Sequence, residues 1–469
     1  MRRHALALAA LLAGCTEQVP ACADPTLRFD GTRCVAVGDG GLDAGPSPLD
    51  AGHDAGADAG VDAGCPAGEE ACGGACVDVS TSAEHCGTCN TPCAAPRACR
   101  ARACVDDPVE VSTAPTHTCV RRASGRVACW GSNQHGQLGD GSLEDRLSPV
   151  AVEGVTDAAA ISVVGVVGAT RAGNGCLRRR GGQVLCWGYN ERGRLGVEAP
   201  GDQPAPAAVI TSGGAPLAGA ARVGAGWTYA CATVNDAATR LLCWGLFGTF
   251  RAPAPITAVP TAGEIVELAV GVEHACVVAA DRRAYCWGTN TRGQLGDGTT
   301  TPRPTSAAAV RQGGVELGGL SGVAVTETSA CAWRTSGVVA CWGDRERLGV
   351  EPPIDDALDA QDVPTLTDVT GLFAGQYASA TCATRSSTDE VVCWGIDIVR
   401  SVRDGAVRLA YTPTAVVGIE GASQLSVATS HACALVGPEV RCWGRNDFGQ
   451  LGDGTRDPRA DPVSVVLPP

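Results

Sequence analysis

The chain of 469 residues contains no lysine; all 36 of its basic residues are arginine. Chemistry that needs a Schiff-base lysine or a phosphate-loop lysine therefore has no residue to use. Aromatic residues are scarce at 4%, and the formal net charge of −14 leaves no basic surplus. A phosphate-backbone binder needs such a surplus to displace counterions, so no nucleic-acid partner is expected. Long apolar runs are missing too, apart from one near the N-terminus. There Arg2 and Arg3 precede "ALALAALLA", which leads into "LAGC" ending at Cys15, the layout of an export signal with small residues at its cleavage point.

"LAGC" resembles the lipobox of bacterial lipoproteins. The resemblance implies that residues 1–14 are removed and that Cys15 carries the lipid, with residues 15–37 as the anchored N-terminal segment. Acyl chains would then hold the protein by burying methylene groups in the bilayer, with no membrane helix. The expected location is the bacterial cell envelope, at the outer membrane or cell surface. An ordinary signal peptide that happens to contain a cysteine is the alternative.

Cysteine and glycine are abundant, at 25 and 62 residues. Beyond Cys15 the thiols fall into even groups: Cys22 with Cys34, eight from Cys65 to Cys104, and fourteen from Cys119 to Cys442. In an exported chain even groups point to disulfides rather than to catalytic or metal-bound thiols. Residues 38–64 hold five copies of Asp-Ala-Gly and no basic residue, too little apolar surface to offset the entropy of ordering. They read as a flexible linker of on the order of 30 Å root-mean-square span. A calcium loop is the competing reading, but the aspartate spacing is irregular and no glutamate closes a loop. Residues 65–106 read as a small cysteine-rich module, similar to modules of bacterial exported proteins. His85 beside Cys86 and Cys89 fits a zinc site, whereas export favours four disulfides. Eight cysteines allow 105 connectivities, and the sequence does not choose among them.

From residue 107 onward one phrase recurs seven times. Cys-Trp-Gly stands at Trp130, Trp187, Trp244, Trp287, Trp342, Trp394 and Trp443, at intervals of 43 to 57 residues, a period that marks a propeller or solenoid. Each signature cysteine has a partner nine to twelve residues upstream with turn formers between them. Antiparallel hairpins would place these cysteines opposite each other and predict Cys119–Cys129, Cys176–Cys186, Cys231–Cys243, Cys276–Cys286, Cys331–Cys341, Cys382–Cys393 and Cys433–Cys442. Cys22–Cys34 is the corresponding expectation near the N-terminus. Alternation along a strand sends each tryptophan to the opposite sheet face, where it packs between blades; carbohydrate stacking is the functional alternative. The "GxNxxGQLGDG" phrase after Trp130, Trp287 and Trp443 supplies glycine where positive φ is needed, and its spacing does not fit a dinucleotide or phosphate loop.

The units "HACxxxxxxxxYCWGxNxxGQLGDGT" resemble the repeats of the regulator of chromosome condensation family. The resemblance covers residues 107–469 and implies an all-β, seven-bladed β-propeller, here with one intra-blade disulfide per blade, preceded by the disulfide-rich module. It is weakest at "CWGLFGTFRAPAP" and "CWGIDIVRSVRDG", which lack the Gly-Asp-Gly turn. Strand-opening prolines are expected at Pro149, Pro206, Pro255, Pro304, Pro364, Pro413 and Pro462. Only eleven residues separate Pro108 from Cys119, which suggests a missing strand. Val463–Leu467 is therefore expected to complete the first blade and lock the ring.

Fold alone does not give function. Founders of this family promote nucleotide exchange on a small nuclear GTPase and contact chromatin. Exchange activity would follow here by analogy alone, because no stretch matches the exchange wedge. The chain also resembles secreted bacterial propellers of this repeat type that inhibit β-lactamases, which implies protein recognition by aromatic-rich loops on one face. Among the scarce aromatics, Trp227 lies near Tyr229 and Phe247 near Phe250. With Glu273, His274 and Tyr377 these are the expected partner-binding residues. His117, His274 and His431 belong to different blades, too far apart for one ion, and no metal, cofactor or catalytic group is expected. The acidic loop Glu351–Asp362 reads as solvated surface. The sequence thus points to a monomeric, non-catalytic, envelope-anchored scaffold for a protein partner, with a lectin-like or enzymatic propeller acting on extracellular polysaccharide as the rival.

Overall fold

A computed structural model describes the backbone of residues 27–29 and 34–36 and, from residue 65 to 468, all but 167–170, 235–239, 246–249, 257–263, 352–354, 376–379 and 397–408. Cys15, Cys22, Phe247 and Tyr377 lie outside the described residues, and so does the side chain of Phe250. The anchor and the Cys22–Cys34 bridge fall there too. Residues 1–61 form one unit, in which Leu27–Phe29 pairs antiparallel with Cys34–Ala36. Residues 62–469 form the other.

Within the second unit the cysteine-rich module is two small hairpins, Glu70–Cys72 with Ala75–Val77 and Ala98–Arg100 with Ala103–Val105. Four bridges tie them: Cys65–Cys76, Cys72–Cys89, Cys86–Cys99 and Cys93–Cys104. Its buried apolar cluster consists of cysteines alone, Cys86, Cys93 and Cys99. So small a segment buries too little apolar surface to hold itself together without the crosslinks. Asp106 joins the module to the ring by accepting from the Ser124 backbone N–H at 2.8 Å and the Ser124 hydroxyl at 2.6 Å.

The rest is seven four-stranded antiparallel sheets, each built from consecutive strands. The inner strands are Pro108–Ala114, Ala158–Gly165, Ala220–Ala225, Glu267–Val270, Leu320–Val325, Val369–Ala374 and Ala422–Val427. Each leads into the cysteine hairpin and then an outer strand; the blade at Trp287, for example, continues through His274–Val278, Ala284–Gly288 and Arg303–Ala309. The prolines lie inside or at the ends of six outer strands rather than opening them, on edges where a missing N–H costs no ladder bond. Pro364 lies beyond its strand, Ala357–Asp362. The two repeats with the weakest resemblance, which lack the Gly-Asp-Gly turn, still complete four strands, ending in Phe250–Pro255 and Leu409–Ala415.

The paired cysteines and the tryptophan solve one packing problem. Each cysteine pair is in direct register and bridged, with Cα separations of 4.0–4.1 Å. Because alternate side chains leave opposite sheet faces, the bridge leaves one face of a blade and the tryptophan the other. The disulfide of one blade then buries against the tryptophan of the next: Cys119–Cys129 with Trp187, Cys276–Cys286 with Trp342, and so on around the ring. The last pair, Cys433–Cys442, meets Trp130 of the first blade.

This contact closes the ring, and it corrects the expected closure. Residues 463–465 pair with the third strand of their own blade, Val465 opposite Val440 and Val463 opposite Cys442. The first blade needs no donated strand because Pro108–Ala114 is its inner strand, and two residues suffice for the turn into His117. Eleven residues were enough. Closure is instead side to side: the Val111 N–H donates to Gln424 Oε1 at 2.8 Å and the Thr113 N–H to Ser426 Oγ at 2.9 Å. The Thr118 hydroxyl donates to the Gln450 carbonyl at 2.9 Å, so its oxygen accepts from His431 Nε2 at 2.8 Å.

Candidate functional site

One face of the ring is formed by the turns between the first and second strands and by the loops that follow each Cys-Trp-Gly. Two glycines shape those loops. Gly131 has φ of 113°, and a Cβ there would stand 2.5 Å from the Thr116 carbonyl oxygen. Gly296 has φ of 65°, and a Cβ there would meet the Trp342 ring at 2.8 Å. The absent side chain lets the neighbouring indole slide over the loop. Trp342 Nε1 then donates to the Gln294 carbonyl at 3.0 Å, and Trp187 and Trp130 make the same bond to Gln137 and Gln450 at 2.9 Å.

In the complete copies the loop satisfies its own polar groups. Asn290 is buried; its Oδ1 accepts from the Leu295 N–H at 3.0 Å, and its Nδ2 donates to Asp297 Oδ1 at 3.2 Å and to the Thr299 carbonyl at 2.9 Å. Arg303 Nε closes on Asp297 Oδ2 at 2.8 Å. Asn446, Asp453, Thr455 and Arg459 repeat this network, and Asn133, Asp140, Ser142 and Arg146 do so with serine in place of threonine. The hydrogen bonds to Asp140, Asp297 and Asp453 outweigh burial and hold these carboxyls below the usual range.

The loop after Trp187 differs. It keeps Asn190 but places Tyr189 and Arg194 where the Trp287 loop has Thr289 and Gln294. The Arg194 guanidinium lies 4.6 Å from the Tyr189 ring centre and 4.4 Å from that of Trp227, whose ring is 6.1 Å from Tyr189. Arg194 Nη1 also donates to the Trp227 carbonyl at 2.7 Å. At 5% exposed, the guanidinium is the floor of this group, with half-buried rings around it. A guanidinium over aromatic faces orders both partners at little entropic cost. His135 meets Tyr189 edge-on at 4.7 Å and bonds Asp202 at 2.7 Å. The Tyr189 hydroxyl donates to Glu191 Oε2 at 2.7 Å, and this bond, aided by partial burial, pushes its pKa up.

The pattern continues past the first blade. Arg171 lies 5.0 Å from the Phe448 ring centre, and Asp145 sits 3.7 Å from both Arg171 and Arg456. An arc from Phe448 through His135 and Tyr189 to Trp227 therefore carries aromatic surface and arginine together. Across the face the described loops hold ion pairs instead, such as Arg292 with Asp356 at 3.3 Å and Arg347 with Glu327 at 3.9 Å.

Of the expected partner-binding residues, Trp227 is half-buried on this arc and Glu273 is exposed on the same face. Tyr229 and His274 are corrections: at 1% and 0% exposed they face the interior. Each is in register with a Cys-Trp-Gly glycine, Gly245 and Gly288, whose missing Cβ leaves room for the larger side chain. His117, Asn174, Ser329, Ala380 and His431 occupy the same buried position. His135, Tyr189, Arg194, Arg171 and Phe448 were missed. Among the described residues the sulfurs of Cys86, Cys93 and Cys104 are grouped closely enough for a metal, but all three are bridged and offer no thiolate.

The ring is a seven-bladed β-propeller of repeats of the regulator of chromosome condensation type. Models of that repeat match residues 124–169 and 265–294, and a model of the stigma-specific STIG1-like family matches 50–131, across the cysteine-rich module. The human E3 ubiquitin-protein ligase HERC2 is 27% identical over 259 residues, covering 52% of this chain and 5% of HERC2. The ultraviolet-B receptor UVR8 of Arabidopsis thaliana is 26% identical over 197 residues, covering 40% of this chain and 43% of UVR8. The chain thus spans less than half of either relative. Yeast RCC1 (Prp20), solved bound to Kap60, shares the fold with a TM-score of 0.60 and 16% identity over 73% of this chain and 83% of its own.

Proposed function

We propose that this protein is a non-catalytic binding scaffold, held at the bacterial envelope through a lipid on Cys15, that recognises a protein partner through the arc from Phe448 to Trp227. The observation that carries the reading is the Tyr189–Arg194–Trp227 group. In a chain with 4% aromatics, ring surface and arginine are gathered on one rim, and the binding hot spots of protein interfaces are enriched in these residue types. Yeast RCC1 (Prp20), solved with Kap60 bound, is a protein of this fold that has a protein partner. Export is supported by the chemistry of the described cysteines, since every one from Cys65 to Cys442 is bridged, an arrangement that persists in oxidising compartments.

The test is affinity capture from envelope extract with the full chain and with a Tyr189→Ala, Trp227→Ala double variant. A protein retained by the first and lost from the second supports the reading. A variant that keeps its protein partner contradicts it, as does a chain whose ligand is a glycan.

A further inference from the structure

We propose that the central channel of the ring holds a small anion, a carboxylate or an inorganic oxyanion, at the guanidinium of Arg178. The inference does not depend on the binding arc. One layer of the channel wall places each inner strand opposite its hairpin as Glu110 with Arg121, Ala160 with Arg178, Arg222 with Thr233 and Glu267 with Val278. In the next three blades the inner residues of this layer are Gly322, Gly371 and Gln424. The register slips immediately before the layer in six of the seven blades, and bulges of this kind re-aim a side chain. Charge is therefore confined to four neighbouring blades of one layer.

Within that layer the ions do not balance, because three arginines face two glutamates. Glu110 is fully engaged: Oε2 accepts from Arg121 Nε at 2.7 Å and Oε1 from the Ile161 N–H at 3.2 Å. Glu267 lies 3.9 Å from Arg222, whose Nε donates to the Ile265 carbonyl at 3.1 Å. Arg178 stands in the blade between these two pairs and has no carboxylate of its own. Its Nε is buried with no hydrogen-bond partner, and its Nη1 reaches only the Arg179 carbonyl at 3.4 Å. Burial and the nearby Arg121 charge both press its pKa down, more than Glu110 raises it. The Nε itself is closed to the cavity, so an anion there would be met by the terminal Nη groups of this half-buried guanidinium, which has no carboxylate partner and favours a planar contact.

The space is there. A cavity of about 380 Å³ is lined by Glu110, Arg178, Arg222 and Glu267, and by the small residues of the next layer with Phe373. In that layer Ser112 and Ser162 already accept the Val163 and Ala225 N–H groups at 3.0 Å. Those hydroxyls line the wall without competing for Arg178.

The experiment is calorimetric titration of the full chain with inorganic phosphate and, separately, with acetate, at an ionic strength held constant by chloride. Wild type is compared with Arg178→Gln and with Arg292→Ala on the distant face. The expected result is saturable binding of at least one anion, at least tenfold weaker in Arg178→Gln and unchanged in Arg292→Ala; the preferred anion tells an oxyanion site from a carboxylate site. No saturable binding of either anion to wild type, or equal binding by Arg178→Gln, overturns the proposal. Thermal unfolding in chloride alone separates a structural role: removing a surplus cation leaves the midpoint unchanged or raises it, whereas a fall of several degrees makes Arg178 a structural residue and contradicts the site.

Discussion

The loops after Trp187 and Trp287 share an asparagine and the same glycine spacing, yet they use their polar groups in opposite ways. The Trp287 loop turns inward: Asn290, Asp297, Thr299 and Arg303 satisfy one another, and Gln294 offers its carbonyl to Trp342. In the Trp187 loop Asn190 keeps the Leu195 N–H at 3.2 Å, but Val197 replaces the aspartate, and Trp244 Nε1 lies buried without a partner. Tyr189 stands half-buried at the face instead, over the buried Arg194. The repeat closes its hydrogen bonds within the loop where it matches its pattern; where it departs from it, Arg194 bonds the Trp227 carbonyl and Tyr189 bonds Glu191 beside the aromatic rings.

The largest expected effect tests the buried position two residues before each first cysteine. Burial holds His117 and His431 down to about 3 and His274 down to about 4. The unfolded chain takes up protons near pH 6.5 that the folded ring refuses, so the contribution is intact above that pH and lost progressively toward pH 4. Stability should fall by about 1.4 kcal/mol per pH unit for each histidine in that window. His274→Asn, which copies Asn174 of the second blade, should reduce the slope of denaturation midpoint against pH by about a third, on the order of one histidine in three.

Next in size is the loop asparagine. Asn290→Ala strands the Leu295 N–H and the Asp297 network and should cost about 2–4 kcal/mol in urea unfolding, whereas Asn190→Ala should cost about half as much. Smaller again is the indole bond. Trp342→Phe leaves the Gln294 carbonyl unpaired and should cost about 1–2 kcal/mol more than Trp244→Phe, which removes a donor that has no acceptor. Equal costs in either pair would erase the distinction between the loops. The smallest effect is that of Tyr189→Phe on stability, within about 0.5 kcal/mol, because its hydroxyl bonds an exposed Glu191 at the rim.

The hairpin bridges and the tryptophans between blades were legible because a strand alternates with a period of two, so Cys-Trp must place its side chains on opposite faces. Ring closure was misread because loop length was overestimated: a two-residue turn left room for Pro108–Ala114 within a spacing judged too short. The site was half legible. Trp227 stood out as a scarce residue, but Tyr229 and His274 drew attention to a position that every blade buries. The informative signal lay past the tryptophan, where Arg194 interrupts a column of glutamines at 137, 294 and 450. Its meaning depends on a ring from the next blade, which the sequence alone does not bring near.

The most direct test is the dissociation constant of the captured protein partner for the full chain, for Tyr189→Ala with Trp227→Ala, and for Arg292→Ala with Glu327→Ala on the ion-paired side of the same face. A loss of about a hundredfold in the aromatic pair, with the ion-pair variant within about twofold of wild type, is the predicted outcome. Equal affinities across all three, or the larger loss in the ion-pair variant, would contradict the account.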